Sequence, residues 1–283
     1  MEARPVVQVV FLLRFAVGGA FAATQGDGSD RWPLGVAAWW CAVVCVYLLN
    51  GVMDVAEDRA NGSVRPIARG ALPVRVASVT TGAFAAAAVV VALAAVPGLI
   101  WWILLFLALG AAYSVPPIAA KRSSWACALI VTGLGLTTYA AGAQAAGHSA
   151  GLEAWVFAGV MAAWMGLVGA VVKDLGDAEG DASAGRRTVA AVHGAATARR
   201  LALTGALTVG CCGLAASLWA PAVLVGTVPL AIGSVWVAFR LRKLPGRDAA
   251  RQERRGAYRA FMVVQYAANA AMLVLLLVRA ASR

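Results

Sequence analysis

The residues most able to do chemistry are crowded into positions 50–70, NGVMDVAEDRANGSVRPIARG. Asp54, Glu57 and Asp58 supply carboxylates, and Arg59, Arg65 and Arg69 follow at once. On a helix Asn50, Asp54 and Asp58 stand at i, i+4 and i+8, so their side chains stack along one face. Carboxylates this close repel one another unless a cation lies between them. A hard-oxygen donor set suits Mg²⁺, which keeps several waters and shares phosphate oxygens with a substrate. Arginines just downstream could grip the rest of a diphosphate through paired hydrogen bonds. On the plainer reading the stretch is a solvated interfacial loop with ordinary charges.

A second stretch, KDLGDAEGD followed by ASAGRRT, repeats the pattern about 120 residues further on. Asp174, Asp177 and Asp181 are spaced i, i+3 and i+7, again on one helical face, with Lys173 beside them and Arg186 and Arg187 next in the chain. Acidic residues at the end of an apolar helix are costly unless paired or functional. Two such faces could together hold two Mg²⁺ ions against one diphosphate. Between the stretches lies YSVPPIAAKR, residues 113–122, in which two prolines stop a helix and Lys121 and Arg122 add a third basic cluster. These two cations suit phosphate contact or simple anchoring.

The elements that must position these residues are membrane helices. Of 283 residues, 61% are apolar and 13% charged, against about 45–50% and about 25% in soluble domains. The expected fold class is all-α, a multi-pass membrane bundle of nine helices forming a single integral-membrane domain over residues 1–283. Apolar runs place the spans near 6–24, 34–53, 74–95, 97–113, 125–146, 153–173, 197–217, 220–240 and 259–280. The first is read as a retained helix, since no A-x-A-like cleavage site is evident. Several spans are rich in Ala and Gly, which suits close packing in lipid.

With the N-terminus cytoplasmic, all of the 24 Lys and Arg residues except Arg14, Arg31, Arg279 and Arg283 fall on the cytoplasmic side. That bias sets the expected orientation. It also accounts for the net charge of +11 without nucleic acid as a partner. Trp32, Trp101, Trp155 and Trp219 near the outer ends resemble an interfacial aromatic belt. The chemistry is therefore expected at the cytoplasmic face of a bacterial cell membrane. The five cysteines lie in apolar segments without metal-ligand spacing and read as buried apolar residues. His148 and His193 lack partners at ligand spacing, and the basic segment 240–259 reads as an anionic-lipid contact. Arg14, about two turns into the first helix, could bind an acidic acceptor or snorkel to the headgroups.

Together these motifs resemble the UbiA superfamily of intramembrane prenyltransferases over nearly the whole chain. Asn50, Asp54 and Asp58 are similar to its Asn-Asp-x-x-Asp-x-x-x-Asp motif, with Gly51 standing where the second residue is Asp. RPIARG resembles the family's Arg-Pro-(Ile/Leu)-x-x-Gly signature, YSVPP with Lys121 its Tyr-Ser-x-Pro-Pro loop, and Asp177 and Asp181 its Asp-x-x-x-Asp motif. KDLGDAEGD followed by GRRT looks most like the homogentisate, chlorophyll and archaeal ether-lipid branches, with Gly176 where those often have Pro.

The resemblance implies nine helices around a central cavity, capped by cytoplasmic loops, and Mg²⁺-dependent transfer of an isoprenoid from a prenyl diphosphate. The implied acceptor is aromatic or otherwise lipophilic, with membrane lipid as surroundings. It implies that Asn50, Asp54 and Asp58 hold one Mg²⁺ and Asp177 and Asp181 the second, with Asp174 and Lys173 as ligand or orienting neighbour. Arg65, Arg69 and Lys121 would hold the diphosphate, and Tyr113 would contact it or shield a cation. A terpene cyclase begins with the same ionisation and is the main alternative. A transporter or non-catalytic lipid-binding protein is a lesser one, disfavoured because both acidic faces lie at one membrane surface rather than at the midplane.

Overall fold

Within hydrocarbon every backbone N–H and C=O must be paired inside its own segment, so long apolar runs become helices. The computed structural model describes residues 2, 4–26, 29–60, 62–176, 185–243 and 255–282. Among them helices account for the regular structure, with a single isolated β-bridge between Ser123 and Arg187. In chain order they are α1 Pro5–Ala23, α2 Trp32–Met53, the short α3 Val55–Ala60, α4 Val74–Ala95, α5 Pro97–Ser114 and α6 Ser124–Ala145. Then come α7 Leu152–Asp174, α8 Val189–Ala216, α9 Pro221–Arg242 and α10 Gly256–Ala281.

Eight of the described helices are long and apolar enough to cross a membrane. The ninth expected span falls in α8, which is long but carries Arg199 and Arg200 and is not among the eight. Its first turns, up to His193, are set off by a kink at Gly194, whose φ of 82° belongs to a glycine. The apolar length proper therefore begins beyond the kink, near the expected start at 197.

The helices gather into two compact units, residues 1–120 with 137–150 and residues 121–136 with 151–283. Helix α6 gives its first part to the second unit and the rest to the first. In the first unit α1 and α6 touch backbone to backbone. A Cβ placed on Gly18 would strike the Tyr139 carbonyl, and one on Gly142 the Phe15 carbonyl. Lipid tails give no hydrophobic drive for helix association, so such close approach of small residues provides the attraction. Beside this seam Trp39, fully buried, stacks on Phe15 at 5.5 Å and meets Phe106 at 4.7 Å between ring centroids.

In the second unit α7 contains a π-helical turn, Trp164–Gly169. Trp164 stacks on Phe261 of α10 at 5.6 Å, and Gly169 lies so close to the same ring that a Cβ would collide with it. Such turns widen a helix locally and recur at functional sites. Ser217 and Thr227 share a buried hydroxyl hydrogen bond of 2.9 Å, which joins the end of α8 to α9. Of the four tryptophans expected in an interfacial belt, Trp101, Trp155 and Trp219 are exposed, whereas Trp32 is half-buried with its ring centroid 5.0 Å from that of Phe15.

Candidate functional site

Helix α2 delivers Asn50 to its last turn, and Asp54 caps that helix at φ −91° and ψ −1°. The helical rhythm nevertheless continues. The Asp54 N–H donates to the Asn50 carbonyl at 3.0 Å, and the Asp58 N–H donates to the Asp54 carbonyl at 2.7 Å. Asn50, Asp54 and Asp58 thus stay on one face through the junction with α3. Asn50 Nδ2 donates to Asp54 Oδ2 at 3.0 Å, while Asn50 Oδ1 accepts from Ser114 Oγ at 3.3 Å. Asn50 and Asp54 are buried and Asp58 is partly exposed.

The loop after α3 folds back onto this face. Arg59 Nε donates to the Ala68 carbonyl at 3.1 Å, and the Ser63 N–H donates to the Asp58 carbonyl at 2.8 Å. This closure brings Arg65 onto the carboxylates. Its Nη1 donates to Asp58 Oδ2 at 2.6 Å and stands 3.8 Å from Asp54 Oδ2. Its Nη2 lies 2.9 Å from Oε1 of Glu2, a residue ahead of α1. In this structure the cation between the carboxylates is therefore Arg65 itself. Arg69, the other arginine expected to hold phosphate, is exposed. Tyr113 is half-buried at the end of α5, next to Ser114.

The second unit assembles its own charged set. Lys121 is buried in a short 3₁₀ turn, Ala120–Arg122. The Arg122 carbonyl accepts the Arg187 N–H at 2.6 Å, and Ser124 Oγ accepts the Val189 N–H at 2.8 Å. These bonds hold the segment before α8 against the end of the proline loop, which sets Arg122 beside Arg187. Thr188 caps α8 by accepting the Ala191 N–H at 3.2 Å. Lys173 Nζ stands 3.5 Å from Asp174 Oδ1 and 3.8 Å from Cys127 Sγ, with Asp174 buried. Asp177 and Asp181 lie outside the described residues.

Among the described residues no three His, Cys, Asp or Glu side chains gather as a metal site. The set that does gather, Asn50 with Asp54 and Asp58, offers only oxygen donors once Asn50 turns its carbonyl inward. That chemistry fits Mg²⁺, which needs only one or two carboxylates plus water and phosphate oxygens.

Arg14 is 1% exposed, with its guanidinium carbon 5.5 Å from the Phe11 ring centroid. That burial removes the snorkelling alternative, in which the side chain would run along the lipid face. The second unit also holds an apolar cavity of about 310 Å³, lined by Ser124, Trp125 and Leu129 of α6, Leu167 and Val171 of α7 and Leu201 of α8. Glu2 and Ser114 add polar contacts around the first acidic face, and the sequence assigned neither a role. The signal for Ser114 was its place in YSVPP; for Glu2 it was only that it is the single acid ahead of α1.

An all-α chain with eight described membrane-length helices and an acidic face ending α2 is a polytopic membrane protein with a charged site at helix ends. The family model for the UbiA prenyltransferase family matches residues 12–278, and the chain belongs to that family. A comparison with curated protein sequences found no match. Among solved structures the chain resembles a UbiA homolog from Archaeoglobus fulgidus bound to GPP and Mg²⁺. That match has a TM-score of 0.76 and 19% identity over 97% of this chain and 98% of the other. It also resembles an apo UbiA homolog from Aeropyrum pernix K1, with a TM-score of 0.67 and 18% identity over 95% and 98%. Digeranylgeranylglyceryl phosphate synthase matches with a TM-score of 0.66 and 12% identity over 98% and 99%. At these identities the likeness is one of fold.

Proposed function

We propose that this chain is a Mg²⁺-dependent intramembrane prenyltransferase that moves an isoprenoid from its diphosphate to an aromatic or other lipophilic acceptor. The observation that carries the proposal is the aligned Asn50–Asp54–Asp58 face with Arg65 already seated on it. Membership of the UbiA prenyltransferase family supports it, as do two solved structures of like fold from Archaeoglobus fulgidus, one of a UbiA homolog bound to GPP and Mg²⁺ and one of a UbiA homolog bound to DMAPP and Mg²⁺.

Bound Mg²⁺ would supply neutralisation of the charge that develops on departing diphosphate. Asn50, Asp54 and Asp58 are the residues that would hold it. A second ion falls to Asp177 and Asp181 by motif, with Asp174 held in place by Lys173. By motif, Arg65, Arg69 and Lys121 are the residues that would bind phosphate oxygens and stabilise the leaving group as negative charge builds. The allylic C–O bond breaks with its electron pair going to diphosphate, the cation meets the acceptor's nucleophilic carbon or oxygen, and the acceptor then gives up a proton. Tyr113 precedes Ser114 at the end of α5 and would shield the cation. The buried Arg14 would hold an acidic group on the acceptor. The charge bias supports an N-terminus and a site at the cytoplasmic face.

The test is purified protein in lipid nanodiscs with geranyl diphosphate, Mg²⁺ and a panel of aromatic and lipophilic alcohol acceptors, read by mass spectrometry. Prenylated acceptor that disappears with EDTA, with Asp54→Ala and with Asp177→Ala is the expected result. Cyclic hydrocarbon as the main product without acceptor would replace transfer by cyclisation. Unchanged product from both Asp variants would remove the two-metal assignment.

A further inference from the structure

Gly51 stands where the first acidic motif has Asp as its second residue, and the space above it is filled. A Cβ built on Gly51 would collide with Glu2 Oε1 and lie 3.0 Å from Glu2 Cδ. Glu2 is 5% exposed, so its charge must be compensated where it sits. Two groups do so. The Ile67 N–H donates to Oε2 at 3.2 Å, and Arg65 Nη2 lies 2.9 Å from Oε1. Both belong to the loop that carries RPIARG. Glu2 therefore reaches into the place a side chain at position 51 would take, and joins that place to the arginine seated on Asp58 and Asp54.

We infer that Glu2 supplies, from the segment ahead of α1, the carboxylate that position 51 lacks, and that its task is to position Arg65. The inference rests on the proposed reading of the site. The two nitrogens of Arg65 are divided: Nη1 faces Asp58 and Asp54, and Nη2 faces Glu2. Asp54 and Asp58 can release Nη1 when they turn to a metal, while Glu2 keeps Nη2. Nη1 is then free to take a phosphate oxygen without the whole side chain leaving. A planar guanidinium held by one edge keeps the other edge aimed, which a lysine could not do.

The experiment measures binding of inorganic diphosphate with Mg²⁺ by calorimetry in nanodiscs, beside thermal unfolding, for wild type, E2Q, E2A, G51D and E2A/G51D. Removing one partner of a buried charge pair is expected to weaken binding about tenfold or more in E2A and E2Q. G51D is expected to be as weak as E2A or to unfold at lower temperature, because its carboxylate meets Glu2. E2A/G51D is expected to recover binding to within about threefold of wild type, since only one carboxylate then occupies the place. A merely structural Glu2 would not be rescued by an acid grown from another helix. A double variant no better than the worse single one overturns the inference, and so does E2A that binds like wild type. If wild type itself binds no diphosphate with Mg²⁺, the site reading falls, and this inference falls with it. If wild type binds and Asp54→Ala does not, but E2A is silent, only the role of Glu2 is lost.

Discussion

Arg65 Nη1 and Asp58 Oδ2 are joined by a 2.6 Å hydrogen bond, with Asp54 Oδ2 3.8 Å from the same nitrogen. An arginine seven residues downstream thus neutralises the very carboxylates that are proposed to bind Mg²⁺. Metal binding and arginine release are coupled in that arrangement, because one oxygen cannot serve both cations fully. Arg65→Lys, which keeps the charge but loses the second arm, should raise the KM for prenyl diphosphate about tenfold, with a smaller effect on kcat. Steady-state kinetics with geranyl diphosphate at saturating Mg²⁺ checks this. Equal falls in kcat and in kcat/KM would mean that Arg65 acts only in the transition state.

Asn50 sits between Asp54, to which it donates at 3.0 Å, and Ser114, from which it accepts at 3.3 Å. Asn50 is a proposed ligand that also orients the Asp54 carboxylate, and loss of such an orienting bond alone is worth about 10–100-fold in metal affinity. Asn50→Ala should therefore shift the Mg²⁺ concentration for half-maximal activity upward by that order. Ser114→Ala, one bond further out, should shift it less. The measurement is a Mg²⁺ titration at fixed prenyl diphosphate, and equal shifts in both variants would contradict the ordering.

Gly142 and Gly159 predict opposite tolerance. A Cβ at Gly142 meets the Phe15 backbone carbonyl, whereas one at Gly159 meets nothing within 4 Å. Backbone cannot swing aside as a side chain can, so Gly142→Ala should cost about 1–3 kcal/mol. Gly159→Ala should be neutral or slightly stabilising, because alanine is the better helix former. Thermal unfolding in detergent compares the two, and a Gly142→Ala protein that melts with wild type would contradict the close α1–α6 contact.

The spans and the first acidic face were legible because both are periodic. Lipid demands an unbroken apolar run of fixed length, so the ends of α2, α4 and α5 fall within a few residues of their expected places. The i, i+4, i+8 spacing likewise survived the break at Asp54, since the backbone bonds kept their rhythm. The contacts that complete the site are long-range pairings with no period to detect. Glu2 meets Ile67 across 65 residues, and Ser114 meets Asn50 across 64. The destination of Arg65 was equally hidden, because charge alone does not say whether an arginine will face phosphate or its own carboxylates.

Ser124 predicts a fault confined to the fold. Its hydroxyl accepts the Val189 N–H at 2.8 Å and is buried, so Ser124→Ala leaves a buried donor without that partner. The cost is about 1–3 kcal/mol. The unfolding temperature should fall, with the KM values of the remaining folded protein unchanged. A KM shift without loss of stability would move Ser124 from the frame into the substrate-contacting set.

Arg14 separates the two halves of the proposed reaction. It lies nine residues beyond Pro5, so about 13 Å along α1 at the helical rise, and it is 1% exposed. The proposed reaction assigns this buried positive charge to an acidic group on the acceptor. Arg14→Met keeps the length and the packing on Phe11 but removes the charge. Ionisation of prenyl diphosphate, followed as diphosphate release without acceptor, should continue near the wild-type rate. The KM for an acidic aromatic acceptor should rise about tenfold or more, while that for a neutral acceptor of similar size should stay level. Parallel rises for both acceptors, or a matching loss of diphosphate release, would make Arg14 a structural charge rather than the acceptor's anchor.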